Sequence, residues 1–201
     1  MAIANELSTP YLRQSMALAV AVIVFIALTP FGAWLESRLF SHVLLAFPLL
    51  VFSGMILGVG LERYRSAWLD TWNAGGIPGI LLASFALAFW MIPRWLDASL
   101  IDPLVASMKY LTLVVFVGIP IATSWPRMHS ITRGVVKIEF LTMLWRLGWL
   151  YLISPERLCN SYLIGDQIYL AWGFLLVGSA LAITWLIPVF FGQPYRQTLE
   201  V

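Results

Sequence analysis

Charge is scarce in this chain. Lysine, arginine, aspartate and glutamate together make up 11% of 201 residues, against about 25% in an ordinary soluble domain. So few charges cannot solvate the surface of a soluble fold. Cysteine is scarcer still: Cys159 stands alone, which excludes an internal disulfide and any two-cysteine metal motif. Histidine occurs twice, as His42 and His129. No glycine-rich phosphate loop, nucleophile elbow or His-Glu-x-x-His pattern is present. The basic residues are scattered singly, so nothing marks a nucleic-acid surface. The expected class is a non-catalytic protein whose main partner is the lipid bilayer.

What the chain has instead is apolar length. Hydrophobic residues make up 61% and mean hydropathy is +0.87. A spanning helix needs about 20 mostly apolar residues, and six stretches qualify: about 15–34, 39–61, 77–93, 104–125, 135–153 and 167–191. The expectation is an all-α, polytopic membrane helical bundle in a single domain, residues 1–201. The first stretch follows only one basic residue, Arg13, and lacks a clear cleavage site, so it reads as a helix rather than a signal peptide. Gly118 and Pro120 predict a kink in the fourth stretch.

Seven basic residues fall on one side of these spans: Arg13, Arg63, Arg65, Arg127, Arg133, Lys137 and Arg196. Arg38, Arg94 and Arg157 fall on the other. Basic loops stay cytoplasmic, so a bacterial-type inner membrane with both termini in the cytoplasm is expected. The segment from Phe89 to Pro103 then reads as a short outward loop, rimmed by Trp90 and Trp95 and carrying Asp97 and Asp102.

That outer side gathers the candidate metal ligands His42, Met91, Asp97, Cys159 and Asp166, with Asp102 nearby. Imidazole, thioether and thiolate suit copper, and carboxylates suit harder ions. The plainer alternative is that Asp102 and Asp166 cap helices and Met91 packs. Arg146 lies mid-span, where a charge is costly unless it faces protein or water. Glu139 lies two turns earlier, about 10 Å away along the axis. The two read as a buried charge pair or as part of a polar pathway. Lys109 lies near the end of its span, where its ammonium can snorkel to the interface. Gly54 and Gly58, at small-xxx-small spacing, read as a helix-packing surface within the chain. Trp34, Trp90, Trp95 and Trp125 read as interfacial anchors.

Three segments carry a family resemblance. Ser41-His42-Val43-Leu44-Leu45-Ala46-Phe47-Pro48-Leu49-Leu50 resembles the helix-start His followed by Pro-Leu of CtaG-type assembly factors of caa-type cytochrome c oxidases. Phe89-Trp90-Met91-Ile92-Pro93, then Leu96-Asp97-Ala98-Ser99-Leu100, is similar to that family's Trp-x-x-Pro…Asp-Ala-x-Leu. Asn160-Ser161-Tyr162-Leu163-Ile164-Gly165-Asp166-Gln167 is similar to its Tyr…Asp-Gln. The resemblance implies copper delivery to a respiratory oxidase, with histidines near the outer surface as ligands. The chain departs from the pattern at the start of the fourth span, Pro103-Leu104-Val105-Ala106-Ser107-Met108-Lys109-Tyr110, where histidine is expected, and in having six spans rather than seven. Three readings stand: a copper-delivery or assembly factor, a metal-free accessory subunit of a membrane respiratory or copper monooxygenase complex, and a small transporter built on Arg146.

Overall fold

The structure is a computed structural model that describes residues 30–62, 71–155 and 161–191. Cys159, Asn160 and most of the first expected span lie outside the described residues. Among the described residues every regular element is helical. Helix α1 is Pro30–Glu36. Helix α2 comprises Leu39–Ser41, the π turn His42–Ala46 and Phe47–Glu62. Helix α3 is Ile77–Trp90 and α4 is Pro93–Ile101. Helix α5 comprises Pro103–Thr112, the π turn Leu113–Gly118 and Ile119–Ser124. Helix α6 is Ser130–Ile153 and α7 is Ile164–Phe191.

Among the described residues three helices are long and apolar enough to cross a membrane: Leu39–Leu61, Pro103–Arg127 and Ile164–Pro188. Helices α3 and α4 make a fourth crossing if the bent pair counts as one. This is short of the six expected spans. Most of the first falls outside the described residues, and α6 carries Arg133, Lys137, Glu139 and Arg146, which keep it out of the strongly apolar set.

The two π turns have one cause. Each ends two residues before a proline, Pro48 in α2 and Pro120 in α5. A proline ring clashes with the carbonyl four residues back and has no N–H to offer it. Widening the preceding turn relieves this: Phe47 N–H bonds to His42 O and Ile119 N–H to Val114 O, five residues back in both cases. The distortion anticipated at Gly118 and Pro120 is therefore a π turn.

Helices α2 and α5 pack in parallel through small residues. A methyl group at Gly54 would meet Val114 O and the Gly118 backbone, and one at Gly118 would meet Val51 O and the Gly54 backbone. One turn on, Gly58 faces Ala122. In lipid there is little hydrophobic drive between helices, so such close backbone contact supplies much of the attraction. Leu39, Val43, Phe47 and Leu50 of α2 fill the core with Leu113 and Val117 of α5 and Leu170 and Phe174 of α7. Helix α6 lies antiparallel to α7, with Gly148 over Ala171 and Leu175 and Gly178 over Trp145.

The segment from Phe89 to Pro103 is helix, not loop. Pro93 and Pro103 each open a helix, where the missing N–H costs nothing, and α3 and α4 meet at a bend of 69°. Trp90 is no interfacial anchor: it is buried and donates Nε1–H to Thr112 Oγ1 at 2.6 Å. Asp102 does cap α5, accepting from Leu104 N at 2.8 Å. Asp166 is not a cap. It sits within the first turn of α7, where a carboxylate still favours the helix dipole.

At the far end from Asp102, Gly76 takes φ +72. Asn73 ties this turn to α5 by donating to Ser124 Oγ at 2.9 Å and accepting from Gly79 N at 3.2 Å.

Gly54→Ala and Gly118→Ala are each expected to lower stability by about 1–3 kcal/mol, since backbone atoms cannot move aside as a side chain does. Gly134, with nothing within 4 Å of a built Cβ, is the control, and Ala there is expected to be neutral or stabilising by about 1 kcal/mol. Thermal unfolding in detergent reads all three.

Candidate functional site

Five elements meet at the Asp102 end of the bundle and enclose a cluster of polar side chains. Glu36 closes α1, His42 opens the π turn of α2, Ser99 lies in α4, Lys109 and Tyr110 lie in α5, and Tyr162 precedes α7. Lys109 and His42 are both 0% exposed. Lys109 lies six residues beyond Pro103, and His42 three beyond Leu39, so parallel packing of α2 and α5 brings them to similar depth.

The ammonium of Lys109 uses all three of its N–H groups. It donates to Glu36 Oε1 at 2.8 Å, to His42 Nε2 at 2.8 Å and to Ser99 Oγ at 3.2 Å. Tyr110 OH donates to the same Glu36 oxygen at 2.9 Å. Tyr162 OH donates to Glu36 backbone O at 2.8 Å and lies 2.8 Å from His42 Nδ1. These contacts assign the histidine. Tyr162 spends its one hydrogen on Glu36, so its oxygen accepts from Nδ1–H, and Nε2 accepts from Lys109. A neutral imidazole, with one donor and one acceptor nitrogen, satisfies both. The His42 ring also meets the Phe47 ring edge-on, with centroids 5.6 Å apart.

Lys109 therefore does not snorkel. Its chain runs inward because a carboxylate, an imidazole and a hydroxyl replace the water it would otherwise reach. A charge this deep is tolerated only when paired and fully hydrogen-bonded.

The candidate ligands fare differently. His42 joins the cluster with both ring nitrogens engaged. Met91 caps the end of α3 and packs, half-buried, against the core. Asp97 accepts from Ser161 N at 3.3 Å and so ties α4 to the start of α7. Asp166 keeps to the first turn of α7, and Cys159 lies outside the described residues. Among the described residues no group of three or more His, Cys, Asp or Glu side chains is placed to hold a metal ion. His129, at the other end, accepts from Ile131 N at the start of α6.

Arg146 and Glu139 do touch, at 2.7 Å between Nη2 and Oε1. They are not buried: their side chains are 68% and 71% exposed. The arginine side chain lies back toward the N-terminal end of its own helix, and its length covers the two intervening turns. Arg146 Nε also donates to Thr142 O at 3.2 Å.

Sequence reasoning missed Glu36 and misplaced Lys109. Neither residue carries a local signal, because the partners of Lys109 lie in other helices, 73 and 67 residues away for Glu36 and His42. No known family, curated protein or solved structure matches the chain. The likeness to CtaG-type factors rests on the three quoted segments.

Removing the ammonium is expected to be the costliest single change in the molecule. Lys109→Met strands Glu36, the His42 lone pair and Ser99, and breaking a buried pair costs about 3–5 kcal/mol. Tyr162→Phe removes one donor and one acceptor and is expected to cost about 1–3 kcal/mol. Chemical or thermal unfolding in detergent ranks the two; equal stability of Lys109→Met and the parent would contradict the pairing.

Proposed function

We propose that the chain is a metal-free accessory or assembly subunit of a larger membrane complex, non-catalytic and related in kind to oxidase assembly factors. The observation that carries this reading is the Lys109 ammonium bonded to His42 Nε2. Copper would need that lone pair. Here it accepts from a tethered cation that is itself bonded to Glu36 and Ser99, so the residues present do not fit a copper ion at His42. The cluster serves instead to lock α1, α2, α4, α5 and the start of α7 into one arrangement at one membrane surface. In this reading α6 crosses the membrane alongside α7. The first span completes a six-helix bundle, and the Asp102 end faces outward from a bacterial-type inner membrane.

Two measurements test this. The purified protein is expected to take no copper(I) from a colourimetric chelator, and to co-migrate with a larger membrane complex on native gels of mild-detergent extracts. Stoichiometric copper uptake that disappears in His42→Ala would overturn the metal-free reading; migration as a free small protein would overturn the accessory role. Orientation is read separately, by labelling single cysteines in a Cys159→Ser background. Ile101→Cys, at a position 80% exposed, is expected to react from outside, and Ser130→Cys is not. The reverse pattern would invert the topology.

A further inference from the structure

Helix α6 carries an unfinished polar surface. One face packs on α7 through Leu144, Gly148 and Tyr151. The opposite face, by the 3.6-residue period, presents Val135, Ile138, Glu139, Thr142, Arg146 and Trp149. Val135, Ile138 and Trp149 are exposed, as is the Glu139–Arg146 pair. Arg146 donates through Nε and Nη2, to Thr142 and Glu139; its Nη1 has no hydrogen-bond partner among the described residues. On Glu139, Oε1 is bonded to Arg146, and Oε2 has a distant 3.5 Å contact from Thr142 Oγ1. Each chain thus offers one free donor edge and one under-used acceptor oxygen on the same stripe. If α6 crosses the membrane, both lie within it, and charged groups there face protein or a water-filled cavity rather than lipid.

We propose that this stripe is a self-association surface whose occupant is a second copy of the chain. Both copies share one orientation, so a two-fold axis along the membrane normal sets two α6 helices side by side and parallel. Thr142, small and central, permits close approach at the crossing. Arg146 Nη1 of each copy then donates to Glu139 of the other. The reach suffices, because the same two side chains already bridge seven residues within one helix. A two-fold interface pairs a patch with itself, so it needs both charge signs on one patch in equal number, as Glu139 and Arg146 supply. Val135, Ile138 and Trp149 flank the ion pairs and exclude lipid from them.

The proposal rests on α6 crossing the membrane, and the two are separable: cysteine labelling from either side reads the crossing whatever the oligomeric state. Self-association is read by oxidative cross-linking of full-length chains in membranes. In a Cys159→Ser background, Thr142→Cys is expected to give a disulfide-linked dimer and Tyr169→Cys, exposed on α7, is not. Charge reversal supplies the second arm. Arg146→Glu alone and Glu139→Arg alone are each expected to lose the dimer, having all-acidic and all-basic stripes. Co-expressed with separate affinity tags, they are expected to recover a dimer containing one of each. A wild-type chain that stays monomeric, reversal variants that dimerise alone, or a mixture that fails to pair would overturn the proposal. If either reversal variant fails to fold, cross-linking at Thr142→Cys decides alone. Cross-links from that site to another protein rather than to a second copy would assign the stripe to that protein and overturn the proposal.

Discussion

The structure depends on one ammonium group. Lys109 is fully buried, and burying a charge in a low-dielectric interior is permissible only if it gives up water for equivalent partners. Its three partners come from three different helices: Glu36 from α1, His42 from α2 and Ser99 from α4. Each is placed in turn by something else. Tyr110 and Tyr162 hold the two ends of Glu36, and Tyr162 also fixes the ring of His42. Lose the ammonium and these groups face one another without compensation. A buried polar network of this kind is sensitive to any missing member, so its role is to specify one arrangement of five elements rather than to supply large net stability.

That network needs α2 and α5 close together, and backbone chemistry provides the approach. Gly54, Gly58, Gly118 and Ala122 remove the side chains that would hold the helices apart. Pro48 and Pro120 force a π turn just before each of them, and the turn in α2 begins at His42 itself. A π turn adds a residue to the helical circuit and rotates the segment before it relative to the segment after it. In α2 the proline thus sets the angle between the packing face, Gly54 and beyond, and the imidazole at its start.

The apolar helices were legible in the sequence because composition and length alone determine them. The stretch 39–61 coincides with the helix that has the most membrane-like composition. The bend between α3 and α4 was not legible: Pro93 and Pro103 read as the ends of a loop, yet a proline is equally at home in the first turn of a helix, and a nine-residue helix fits between them. Trp90 and Lys109 were misplaced for a related reason. Both residue types favour membrane interfaces on average, and what overrides the average is a partner distant in sequence. For Trp90 that is Thr112, and for Lys109 it is Glu36 across 73 residues. Local pattern does not contain such partners. Of the candidate ligands read from the sequence, His42 belongs to the cluster, while Met91, Asp97 and Asp166 do not. The imidazole of His42 is engaged there, because Lys109 donates to its Nε2 at 2.8 Å.

Among the described residues, the ion pairs at Lys109 and at Arg146 differ in how completely they are satisfied, and that difference has a physical consequence. At Lys109 every N–H has an acceptor and the cluster is closed by aromatic and aliphatic neighbours, so nothing further is required from outside the chain. At Arg146 one edge of the guanidinium is unspent and the paired carboxylate is half-spent, on a helix face that none of the described residues covers. Water would complete such a pair at little cost on a soluble protein, where exposed ion pairs contribute about 0–1 kcal/mol. In the proposed crossing of α6 a bilayer would offer no such completion, and the residual polarity would call for a protein surface of matching charge. Helix α6 is also the helix whose composition falls short of an independent membrane span. Under the proposed crossing, its charges would make it a poor lone span and suit it to an interface. Both would follow from placing Glu139 and Arg146 on the face turned away from α7.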